Sequence, residues 1–179
     1  MSSRALFDKV CTIYTACRIV KAEQITPLLR GAITTEGEGD HWSNIICKGK
    51  RATLRLHRTA YLGPGFVPPN GQFNKALMGT HNYFRTVDTR YSAAQNALLE
   101  KIMSVKTLIG CVGDPMMSDD DGHYDMVFAV ARTLDGMIFD SDAMLMTDGR
   151  VILDKAGEAD YLRTRPGKAA RSSVRKSRK

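Results

Sequence analysis

An α+β fold is what this sequence predicts: a mostly antiparallel sheet with helices packed on one face, followed by a basic, disordered C-terminal tail. Three observations carry the prediction. Apolar or alternating runs short enough to be strands arrive in pairs separated by turn residues, as hairpins do. Between the pairs lie helical apolar patterns of about ten to fifteen residues. This order, with hairpins in place of a strict strand–helix alternation, favours that arrangement over a doubly wound parallel sheet. Residues 1–162 are read as a single domain whose first 31 residues form a helical segment, with residues 163–179 as the tail.

The elements follow in order. Leu6, Val10, Ile13, Cys17 and Val20 recur at steps of four and three and place a first helix over residues 4 to 21, although the β-branched run at Val10 also suits a strand. A short helical piece through Leu28 and Leu29 ends at Gly31. Residues 34 to 40 lack any apolar side chain and hold two glycines, which predicts a loop. Trp42 to Cys47 and Arg51 to His57 read as a hairpin across Lys48, Gly49 and Lys50. In its second arm Ala52, Leu54 and Leu56 alternate with Arg51, Thr53, Arg55 and His57, giving one buried and one wet face.

The stretch from Gly63 to Gly71 holds three prolines and interrupts regular structure as a surface loop. Phe73, Leu77 and Phe84 predict a helix over 73 to 84, which Gly79 weakens. Ser92 and Gln95 have capping-box spacing ahead of Ala94, Leu98, Ile102 and Val105, which share one helical face. A strand over Thr107 to Val112 follows, then a helix lined by Tyr124, Val127, Phe128, Ala131 and Leu134, with Gly136 expected as its left-handed stop. Met137 to Phe139 is a short strand, and residues 143–146 pair with residues 150–153 across the Asp148-Gly149 turn.

Composition bounds the function. Apolar content of 43 % and charged content of 25 % are ordinary for a globular protein. Net charge is +7, but residues 163–179 hold eight Lys or Arg and no acidic residue, so the remainder carries eighteen basic and nineteen acidic side chains and is about neutral. A basic nucleic-acid-binding body is thereby excluded. No eighteen-residue apolar run occurs, and the four cysteines have no framework spacing, so a cytoplasmic chain with reduced thiols and no membrane span is expected.

Four groups of residues could carry chemistry. Asp114, Asp119 to Asp121, His123 and Asp125 offer hard oxygen ligands and one nitrogen; within them Asp114, Asp121, His123 and Asp125 are the metal candidates for a hydrolase or nuclease. Because Gly122 follows three adjacent Asp residues instead of alternating ligands, and a helix follows, capping is the preferred reading. Cys111 as a nucleophile with His123 as base is disfavoured by the apolar strand around the thiol. In the Pro- and Gly-rich loop, Phe66, Val67 and Phe73 are candidates for presenting an apolar face to a partner. Arg55 and Arg58, with Arg163, Arg165, Arg171, Arg175, Lys176 and Arg178 of the tail, could give sequence-indifferent contact with nucleic acid. With no nucleophile–base pair, phosphate loop or cofactor motif, the leading expectation is a non-enzymatic protein of a bacterial-type cytoplasm that binds another protein, as a regulatory, accessory or cognate-inhibitor component and without a cofactor.

Overall fold

The computed structural model describes residues 9–63 and 71–160. Its strands in chain order are β1 Val10–Thr15, β2 Ala32–Glu36, β3 Asn44–Lys48, β4 Thr53–Ala60, β5 Thr107–Asp114, β6 Met137–Asp140, β7 Ala143–Leu145 and β8 Val151–Asp154. All eight join one sheet in the order β2-β3-β4-β5-β1-β6-β7-β8, with every pairing antiparallel. The helices are α1 Ala22–Ile25, continued by a 3-10 turn over Thr26–Leu28, then α2 Gly71–Thr86, α3 Ser92–Ser104 and α4 His123–Thr133.

The expected helix over residues 4 to 21 is corrected by β1. This strand lies between β5 and β6, with Cys11 and Ile13 in one core and Tyr14 in the other, and from Ile13 onwards it is covered on both faces. A strand buried on both sides loses the alternation that marks a half-buried one, and its apolar residues then coincide with helical spacing. The expected loop over 34 to 40 is likewise shortened, because β2 runs to Glu36. Exposed along most of its length, that edge strand has no apolar face to give a period-two signal.

Two cores sandwich the sheet. On the first face Ile13, Cys47, Leu54, Leu56, Ile109, Cys111 and Ile138 pack with Ile25, Trp42 and the α4 residues Met126, Val127, Val130 and Ala131. On the second face Tyr14, Leu108, Met137, Met144 and Ile152 pack with Phe73, Leu77 and Phe84 of α2 and Ala94, Leu98 and Ile102 of α3. The α+β class with an antiparallel sheet therefore holds, and the helices divide between its faces because the strands near β1 are apolar on both. Full burial of each large aliphatic side chain contributes about 1.5–3 kcal/mol. Several polar groups inside are paired: Tyr14 and Thr80 hydroxyls lie 2.7 Å apart, Thr107 Oγ1 donates to Cys17 O at 2.7 Å, and the Trp42 indole donates to Val20 O at 2.9 Å.

Local contacts refine the helix ends. Gln95 makes no capping box with Ser92; its amide nitrogen donates to Phe84 O at 2.7 Å and Val87 O at 2.8 Å, tying the end of α2 to the start of α3. After α4 the left-handed position is taken by Asp135, at φ 45°, while Gly136 packs where a side chain would meet Ile13 and the main chain of Tyr14. The β7–β8 hairpin turns at Gly149, whose φ of 83° suits glycine. At the β8 edge the chain folds back, Asp160 N donating to Val151 O at 2.9 Å. No helix among the described residues is long and apolar enough to cross a membrane.

Candidate functional site

The acidic segment is built into the fold. Asp121 receives main-chain N–H bonds from Lys50 at 2.8 Å, Arg51 at 2.9 Å and Ala52 at 2.8 Å, and so clasps the β3–β4 turn. Gly49 permits this approach, since a Cβ there would lie 2.5 Å from Asp121 Cγ. These N–H groups, Arg51 foremost, hold the Asp121 carboxyl at about 2, below the usual 3.8. Asp120 pairs with the Arg51 guanidinium. His123 is fully buried at the start of α4; its Nδ1 accepts from Ser118 N at 3.2 Å, and burial lowers its pKa. Its Nε2 is buried without a hydrogen-bond partner.

Of the four metal candidates, then, Asp121 is occupied by N–H donors and His123 is turned into the core. Asp125 is exposed in the first turn of α4, and Asp114 ends β5 beside Thr53. Among the described residues, no group of three or more His, Cys, Asp or Glu is placed to hold a metal ion. A cavity of about 380 Å³ does lie beside Asp119, Asp120 and Asp121, yet Arg30, Lys48 and Lys50 line it too, so opposite charges meet there.

The thiols are structural. Cys11 and Cys111 face each other across β1 and β5, both buried and both free, and burial raises the Cys11 pKa well above its ordinary value. Cys47 is also raised by burial, and its Sγ donates to Arg30 O at 2.7 Å.

The binding-loop candidates separate. Phe66 and Val67 lie outside the described residues, whereas Phe73 is fully buried in α2 with its ring 5.7 Å from Tyr61, edge to face. The polyanion candidates separate as well. Arg55 projects from the exposed face of β4 together with His57. Arg58, one residue out of phase, is half-buried; its Nη1 donates to Trp42 O at 3.4 Å, and burial pulls its pKa below the ordinary arginine value. The tail residues Arg163, Arg165, Arg171, Arg175, Lys176 and Arg178 lie outside the described residues.

Arg55 and His57 belong to a surface that sequence reasoning missed. Helices α2 and α3 cover the second sheet face near β6 to β8, but towards β2 that face stays open: Arg55, His57 and Lys48 are exposed, Ile46, Val112 and Thr12 partly so, and Val10 is 48 % exposed. One cross-strand row runs Glu36, Asn44, His57, Gly110, Thr12 and Phe139 over six strands. Gly110 lies in its centre, and among the described residues beyond its chain neighbours the only heavy atom within 4 Å of a Cβ built there is His57 O at 3.9 Å, leaving a bare floor between His57 and Thr12. Along the row Asn44 Nδ2 donates to Glu36 Oε2, and Asn44 Oδ1 lies 3.0 Å from His57 Nδ1. The alternation in β4 signalled the exposure of Arg55 and His57; nothing in the sequence signalled Glu36, which was assigned to a loop.

No protein-family model, curated protein or solved structure matches the chain.

Proposed function

We propose that this chain is a non-enzymatic, cytoplasmic binding protein, regulatory, accessory or inhibitory in kind, that docks another protein on the open half of its second sheet face. The observation that carries this reading is the bare floor at Gly110, ringed by exposed side chains on a sheet whose first face is packed against α4 over its central strands and whose second face is packed against α2 and α3 near β6 to β8. The surface has the mixture a protein partner requires: Val10, Ile46 and Val112 supply apolar area between Lys48, Arg55, Asn44 and His57. Nucleic acid would demand a strong positive excess. Here Glu36 and Asp114 share the face with Lys48 and Arg55.

A catalytic reading has less support. Asp121 and His123 are engaged in holding the fold, three of the four thiols are buried, and Thr12 is two strands from His57, about 10 Å and too far for direct proton transfer. Free thiols also suit a reducing compartment.

Photo-crosslinking in cells that carry the chain tests the proposal. A photoreactive residue at Val112, on the open face, is expected to give one discrete protein adduct, and the same residue at Met103, exposed on α3, none. Equal adduct patterns from the two positions, or none from Val112, overturn it.

A further inference from the structure

The row from Glu36 to His57 is ordered by a simple constraint. An ionised carboxylate only accepts hydrogen bonds, so the Asn44 amide nitrogen faces Glu36 and its oxygen faces His57. That oxygen also only accepts, so the proton of the neutral His57 ring sits on Nδ1 and Nε2 carries the lone pair. No hydrogen bond among the described residues reaches Nε2. Two residues earlier on the same face Arg55 makes no ion pair among the described residues, and it is flanked across the strands by Ile46 and Val112, along which its stem can lie.

We propose that Glu36, Asn44 and His57 form a recognition element that presents His57 Nε2 as a fixed acceptor beside the Arg55 cation. The ligand it fits is an extended acidic segment of a polypeptide, donating an N–H or O–H to His57 and placing a carboxylate on Arg55, with its main chain over Gly110. This rests on the docking surface proposed above and assigns the partner's chemistry. Three features converge on it. The tautomer is set by two successive hydrogen bonds, no side chain among the described residues fills the floor beside the ring, and a cation with no ion pair among the described residues lies within one dipeptide repeat, about 7 Å, which is the spacing of alternate residues in an extended ligand. Glu36 and Asn44 act as positioning residues; only His57 and Arg55 touch the ligand.

Nitrogen-15 NMR of the full chain, above the imidazole titration, reads the tautomer directly. The expected result is the Nδ1–H form at His57 in the unsubstituted protein and reversion to Nε2–H, the form free histidine prefers, in Asn44→Leu. An Nε2–H ring in the unsubstituted protein overturns the proposal. Binding is then followed with a peptide of repeating Ser-Gly-Asp-Gly, which puts Ser and Asp on alternate positions of one face, and one of repeating Ser-Gly-Lys-Gly as control. The acidic peptide is expected to shift the His57 and Arg55 resonances; His57→Leu weakens it about tenfold, the worth of one good hydrogen bond, and His57→Gln, which keeps an acceptor, restores most of that loss. Absence of any response to the acidic peptide, or an equal response to the basic one, overturns the ligand assignment. A Val112 adduct obtained alongside either failure would leave the docking surface standing without this recognition element.

Discussion

The Oδ2 atom of Asp121 lies 2.9 Å from the main-chain nitrogen of Arg51, a contact that fastens the loop before α4 to the turn between β3 and β4. Since three N–H groups converge on that carboxylate, Asp121→Ala is expected to lower the melting temperature. Gly49→Ala should reproduce part of the loss by pushing the carboxylate away. The two changes together should cost less than their sum, because each breaks the same clasp.

Acid should release the same clasp. The Asp121 carboxyl is held at about 2 in the fold, against 3.8 unperturbed, so its contribution is complete above 3.8 and disappears as pH falls through about 2. Thermal melts of the unsubstituted chain and Asp121→Ala, taken from about pH 6 downwards, should converge over that window.

His123 acts at milder pH and in the same direction. Burial lowers its pKa below 6.5, so on acidification the unfolded chain takes up a proton before the folded one does, and stability falls as pH drops below 6.5. His123→Leu should be weaker at neutral pH by about 1–3 kcal/mol, since Ser118 N–H loses its acceptor, but should show a flatter profile below pH 6.5. A steeper profile in the variant would contradict this.

Manganese or magnesium titration is expected to leave the melting temperature unchanged, because the Asp121 oxygens already receive main-chain N–H groups and His123 faces the core. A metal-dependent rise that vanished in Asp121→Ala would restore the hydrolase reading.

Gly79 offers a gain. It is exposed in the interior of α2, and a Cβ there meets nothing within 4 Å. Gly79→Ala should therefore stabilise by about 0.5–1 kcal/mol, seen as a melting point raised by a few degrees.

How far the sequence was legible depended on burial. Leu54 and Leu56 alternate with Arg55 and His57 because β4 has one covered and one open face at that level, and the expected strand followed. Helices α2, α3 and α4 announced themselves by one-sided apolar spacing. The strand at Val10–Thr15 did not, because from Ile13 to Thr15 it is covered on both sides and its periodicity is lost there; β2 did not, because it is covered on hardly any. The open part of the second sheet face was half visible for the same reason. His57 could be read as exposed, but its link to Asn44 and Glu36 needed the register of three strands. Capping was the preferred reading of the acidic run, yet the N–H groups it serves belong to a turn some seventy residues earlier, a distance no local pattern reports.

Strand β1 is separated from both of its neighbours by a long stretch of chain: β5 begins at Thr107 and β6 at Met137. Ile13 and Tyr14 are therefore sheltered only when segments roughly a hundred residues further along the chain are in place, which makes the closing of the sheet a long-range event.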